Sequence, residues 1–331
     1  MGFALATVLA GCGGSAAGTS ASAGSAASTG HRKRTVRQAA AARPVQLRYR
    51  RLYALPAPLR DPAYAALRPG RFVLIGGLSA ADTSTSEVDV GNLTHVAQVA
   101  TLATAQHDAQ AATLTGRVYV FGGGSFSELD HILSFDPARG TLGTVGALPT
   151  ASSDSAVASI GTTAYIVGGY DGVSWKNTIL AYHAGASSVS VAGTIPVGLR
   201  YAAVTAIGGR VIITGGSTPT AASRAIYRFD PRTGRTTRIG TLPSPVTHGE
   251  LAPLGQFAYL VGGRGNGPSS QTARILAIDP VTGRVTPAGR LPSGLSDAAL
   301  IPNGGHSLLL VGGLQNSGAV SADVGELAPA R

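Results

Sequence analysis

The stretch "YIVGGY", residues 165–170, runs apolar side chains directly into two adjacent glycines. Apolar residues without polar alternation read as a strand covered on both faces. A glycine pair at its end reads as backbone that takes positive φ or passes close to another segment. The arrangement occurs six times, with pairs beginning at Gly76, Gly122, Gly168, Gly215, Gly262 and Gly312. The spacings between those positions are 46, 46, 47, 47 and 50 residues, regular enough to mark a repeat architecture. The runs before the pairs are "FVLI", "VYVF", "AYIV", "VIIT", "AYLV" and "LLLV".

Working outward, each run is preceded by a strand of small residues, such as "AYAAL", "AQAATL" or "YAAVTAI", suited to a place where sheets converge. After each pair come a polar loop and a third strand, such as "ILSF" or "AIYRF". Three units then carry "DPARG", "DPRTG" or "DPVTG", in which Asp starts a turn, Pro follows and Gly takes the left-handed position. A fourth strand ends on "GALP", "GTIP", "GTLP" or "GRLP". Four strands per unit and six units predict an all-β fold, a six-bladed β-propeller with four-stranded antiparallel blades. The last unit runs out after about three strands, and "VQLRYRRLYALP" (45–56) reads as a fourth strand lacking its first three. Pairing the two would close the ring and leave no open edge.

The glycine pairs, the "DP" turns and the "LP" endings resemble the kelch repeat over roughly residues 46–331. Kelch repeats usually carry a Trp on the fourth strand. Here Leu142, Thr236 and Val285 stand near that position, and the sole Trp, Trp175, falls in a loop.

The N-terminus reads differently. "MGFALATVLAGC" has an apolar stretch too short to span a bilayer. Leu9-Ala10-Gly11-Cys12 resembles a bacterial lipoprotein lipobox, which implies lipidation of Cys12 after removal of residues 1–11 and a place on the extracytoplasmic face of the membrane. No Lys or Arg precedes the apolar run, as one would in most secretory signals. Residues 12–44 are a Gly/Ser/Ala-rich basic tether, which either lies on an anionic surface or is simply solvated. The propeller is expected over 45–331.

The net charge of +10 is uneven. Arg32, Lys33, Arg34, Arg37 and Arg43 contribute half of it, and no nucleic-acid-binding signature accompanies the remainder. With Cys12 the one cysteine, an internal disulfide and a zinc site of several thiolates are excluded. No cofactor or metal is expected, and a monomer is.

Propellers usually meet ligands on the face where strand four leads to the next strand one and strand two to strand three. Counting from the Leu or Ile of each "LP"-type ending, the sixth position is Asp61, Asp108, Asp154, Tyr201, His248 and Asp297. The fifth is Arg60, His107, Ser153, Arg200, Thr247 and Ser296. The resemblance implies an Arg at the channel mouth, which Arg60 and Arg200 match. The aspartates form a polar ring that either grips a sugar, peptide or cation, or closes turns onto backbone N–H groups. His107 and His248 stand across the ring from each other, too far apart for joint metal ligation.

The second loop set holds Phe126, Glu128, Tyr170, Asp171, Trp175, Lys176, Asn266 and Gln315. Tyr170 and Trp175 either stack on a ligand or cover a loop base. The first expectation is a non-catalytic module that holds a glycan or an envelope protein. The alternative is a sugar-active enzyme, isomerase-like; a galactose-oxidase-like mechanism would need a Tyr–Cys crosslink, and Cys12 is committed to the leader.

Overall fold

The structure, a computed structural model, describes residues 43–330. The Cys12 lipobox and nearly all of the expected tether lie outside the described residues. Every regular element within them is a β-strand.

Four repeats each form a four-stranded antiparallel sheet. The first contains Ala63–Arg68, Arg71–Ile75, Thr85–Gly91 and Val96–Gln106. The second contains Gln110–Leu114, Arg117–Phe121, His131–Asp136 and Thr141–Ala147. The third contains Ala156–Ile160, Thr163–Val167, Thr178–His183 and Ser190–Thr194. The fourth contains Arg200–Ile207, Arg210–Ser217, Ala225–Asp230 and Arg235–Thr241.

The remaining strands differ from the expectation of separate sheets. Eight of them join into one sheet, ordered Glu250–Leu254, Phe257–Val261, Arg274–Ile278, Val285–Arg290, Leu47–Ala54, Asp323–Pro329, Ser307–Val311 and Ala299–Asn303, and the short strands Leu295–Ser296 and Leu314–Gln315 pair separately. The two halves meet at a single parallel pair, Leu47 with Gly289, while the ladders on either side are antiparallel. The join has a local cause: a Cβ at Gly289 would overlap the Leu47 carbonyl, so only glycine lets these outer strands come so close. Leu47–Ala54, expected as the missing outer strand, does pair antiparallel with Asp323–Pro329, with a register shift between Arg51 and Tyr53.

The first strand of each four-stranded set lies innermost, and these strands touch in a closed cycle. Ala63–Arg68 meets Gln110–Leu114, which meets Ala156–Ile160, and contact continues through Arg200–Ile207, Glu250–Leu254 and Ala299–Asn303 back to Ala63–Arg68. Their small side chains, among them Ala65, Ala111 and Ala158, line an axial channel. The core lies between neighbouring sheets. Val73 and Ile75 of the first sheet pack with Val118, Val120 and Phe135 of the second, all fully buried. Burial of each such side chain contributes about 1.5–3 kcal/mol.

The glycine pairs tie each sheet to the segment that leads into the next. The N–H of Gly169 donates to the Leu199 carbonyl at 2.8 Å, and a Cβ on Gly168 would overlap that same oxygen. The equivalent bonds are Gly77 to Gln106, Gly123 to Ser152, Gly216 to Val246, Gly263 to Leu295 and Gly313 to Leu59. Both glycines of each pair have positive φ, 66° and 106° at Gly168 and Gly169. In the fourth sheet the strand continues through its pair to Ser217, so there the glycines do not end it.

The "DP" turns close the far ends of the sheets. Oδ1 of Asp136 accepts from the N–H of Ala138, and Oδ1 of Asp279 from Val281. Gly140, Gly234 and Gly283 take the left-handed positions.

Candidate functional site

The residues that follow the "LP" endings converge on the axis. The N–H of Asp108 donates to the carbonyl of Asp61 at 3.3 Å, Asp154 to Asp108 at 3.1 Å, Tyr201 to Asp154 at 3.0 Å, His248 to Tyr201 at 3.2 Å, Asp297 to His248 at 3.1 Å, and Asp61 to Asp297 at 2.9 Å. The backbone bonds form a closed circle. Every member has φ between 49° and 58°. Asp accepts the left-handed region more readily than most residues, whereas Tyr201 and His248 do so at some cost.

The ring side chains face a closed polar centre. Asp61, Asp108, Asp154 and Asp297 all line it, and the Ser296 hydroxyl donates to Asp297. Burial pushes the Asp61 carboxyl well above its usual range, and the charges of Asp297 and Asp108 push it further. Burial, then Asp154, does the same to Asp108, and burial raises Asp297. Carboxyls gathered in so little solvent disfavour one another's charge. The Tyr201 hydroxyl donates to Asp108 at 3.2 Å, and its ring stacks on His248 at 3.7 Å. Arg264 donates to Nε2 of His248 at 2.9 Å. Because guanidinium only donates, that nitrogen accepts, and the proton sits on Nδ1 facing the Thr247 hydroxyl. Burial, with Arg264, Arg200 and Arg60 nearby, holds His248 well below the usual imidazole range.

Arginines collar the ring. Arg60 bonds Asp61 at 2.8 Å and Asp82 at 2.5 Å. Arg200 pairs with Asp154, whose side chain is 1% exposed. His107, lowered chiefly by burial, lies 3.6 Å from Asp108 and bonds Ser84 through Nδ1.

The two loop sets share this face, because short backbone bridges join His107 to Gly124, Ser153 to Tyr170 and Thr247 to Arg264. The Arg200 guanidinium stacks 4.1 Å over the Tyr170 ring and lies 5.5 Å from Trp175, and the two aromatics meet edge-on at 5.2 Å. Trp175, read as either stacking on a ligand or covering its loop base, is half-buried, and its Nε1 is enclosed without a partner. The cause is Gly198, which lets the Trp175 backbone and Cβ close over it. Phe126 is the fully exposed aromatic. Asp171 and Lys176 pair with each other, and Asp171 also accepts from Val173 and Ser174, so both serve their own loop.

Three contributors escape the "LP" count. Arg264 directly follows the Gly262–Gly263 pair, the position Tyr170 holds after Gly168–Gly169, so aligning glycine pairs would have found it. Tyr64 and Glu250 stand on innermost strands, where "AYAAL" and "GELAPL" read simply as small-residue runs. Tyr64 donates to Glu250, and burial pushes Glu250 up to about 8. Beneath the ring these side chains enclose only about 40 Å³. That space suits water rather than a sugar, since ligand pockets run to about 300–1,000 Å³. Among the described residues no three His, Cys, Asp or Glu are arranged to hold a metal ion.

Fold and site together define an all-β propeller with a closed polar axis and an arginine–aromatic rim. Residues 198–242 match the Kelch motif, a segment that begins beside Arg200 and runs through the fourth sheet. The solved structure of YjhT superposes with a TM-score of 0.73 at 18% identity, covering 82% of this chain and 95% of that one. At that identity the likeness carries the fold. No curated protein matches the chain.

Proposed function

We propose that the chain is a glycan-binding module of the bacterial envelope, anchored by lipid on Cys12 and held off the membrane by residues 13–44. The eight-stranded sheet counts as two blades fused at Leu47–Gly289, giving a six-bladed ring closed by the N-terminal strand. The observation that carries the binding reading is the Arg200–Tyr170–Trp175 platform beside a closed axis. A stacked cation and aromatic ring, fixed by the buried Asp154, offer a preorganised surface for a sugar face. A 40 Å³ centre offers no room for one to react.

A sugar-active, isomerase-like enzyme is the second reading. It is supported by the carboxyls of Asp61, Asp108 and Glu250, all raised by burial, which would suit acid–base work if the axis opened.

A glycan array probed with the full chain, followed by NMR of any retained sugar, separates the two. Retention without isomer exchange, weakened at least tenfold by Tyr170→Ala, supports binding. Exchange of sugar isomers supports the enzyme, and retention of no glycan overturns the binding reading.

A further inference from the structure

A second site lies away from the axis. Between the Gly262–Gly263 loop and the turn after Arg290, the loop face carries a groove of about 640 Å³, large enough for a mono- or disaccharide. Arg264, Arg274 and Arg290 line it, and no Asp or Glu does.

Two independent features of this groove ask for a ligand. Arg274 and Arg290 stand directly opposite each other across neighbouring strands, where like charges repel. Among the described residues neither has a carboxylate partner; the Arg274 guanidinium bonds only the Ser244 hydroxyl, at 2.9 Å. An oxyanion between the two would convert repulsion into attraction on both sides.

The second feature is Gln271. It is only 6% exposed, and its amide NH₂ donates to the Pro268 carbonyl at 2.9 Å. That bond fixes which end is nitrogen. The carboxamide oxygen then has no partner and is sealed in the groove wall, so it meets a ligand hydroxyl only by turning outward. A buried acceptor left unsatisfied calls for a donor from outside the chain. Asn316, packed over Gly294 at the same groove, adds a second amide.

We infer that this groove binds an oxyanion carried on a polyol, its anionic group between Arg274 and Arg290 and a hydroxyl donating to Gln271. Phosphorylated and carboxylated sugars both supply this chemistry. The inference uses residues separate from the Tyr170 platform, so either can fail alone.

The test is calorimetric titration of the full chain with glucose 6-phosphate, glucuronate, inorganic phosphate and glucose. At least one anionic sugar should bind tenfold or more tighter than glucose and than phosphate, and the affinity should fall as salt rises. Which of the two wins identifies the anionic group. Arg274→Gln with Arg290→Gln should cut that affinity at least tenfold, and Gln271→Glu should do the same by placing a negative charge at the hydroxyl position. Both arginines are exposed, so the double variant should fold, with an unliganded Tm at or above that of the parent. Equal affinity for glucose and the anionic sugars, no detectable binding, or full affinity in the arginine double variant would overturn the inference.

Discussion

At the scale of single residues, glycine and buried acid decide most. Gly168 combines φ of 66° with a Cβ direction blocked by the Leu199 carbonyl, so Gly168→Ala should cost at least about 2 kcal/mol by denaturant unfolding. Gly161, also at positive φ but with open space around it, supplies the control, and Gly161→Ala should cost only about 1 kcal/mol. Glu250 gives a pH signature. Its folded pKa, about 8, lies above the ordinary 4.5, so between those values the folded state holds a proton the unfolded chain has lost. Its contribution to stability is full below about pH 4.5 and is lost as pH rises through 8. Glu250→Gln keeps an acceptor for Tyr64 and cannot ionise. Its Tm should therefore gain on the parent as pH climbs from 5 to 8.5, and parallel pH profiles would count against a buried, proton-holding Glu250. Arg200, expected at the channel mouth, is tied there to a buried acid: Arg200→Ala would strand the Asp154 carboxylate at 1% exposure and should cost roughly 3 kcal/mol in thermal or chemical unfolding.

At the scale of elements, the sequence was informative wherever a signal was local. Continuous apolar runs, "DP" turns and glycine pairs each appear as strands, hairpins and positive φ because their causes act within a few residues. The polar ring was also within reach, since a constant offset from each "LP" ending places its members at equivalent turns. The bonds that bind the ring were not legible, for five join residues 46 to 49 apart, the sixth joins Asp61 to Asp297, and all depend on closure. Glu250 and Tyr64 were hidden for another reason. A polar residue on a strand of small residues shows its role only once the strand's register turns it toward the axis. The turn opposite the ring provides its own check. Asp230 accepts from the Arg232 N–H at 3.0 Å and pairs with Arg210 at 3.0 Å, so Asp230→Ala should cost about 1 kcal/mol in unfolding without touching the loop face.

At the scale of the whole molecule, the first and last strands hold the two ends of the propeller together. Leu47–Ala54 pairs with Asp323–Pro329 and bridges to Gly289, and Arg50 and Arg51 add surface ion pairs with Glu326 and Asp323. Deleting 45–56 would expose the Asp323–Pro329 edge and the apolar surface under Leu47, so the variant should aggregate or lose its single cooperative transition. An unchanged melting curve would contradict closure by this strand. Closure fixes which loops share a face, and with it the functional account: the glycine-pair loops and the ring lie on one side, the "DP" turns on the other. That division is tested most directly by probing one glycan array with the parent chain, Tyr170→Ala and Asp230→Ala in parallel. The account predicts that glycans retained by the parent are retained by Asp230→Ala and lost by Tyr170→Ala. Loss in Asp230→Ala with full retention in Tyr170→Ala would contradict it.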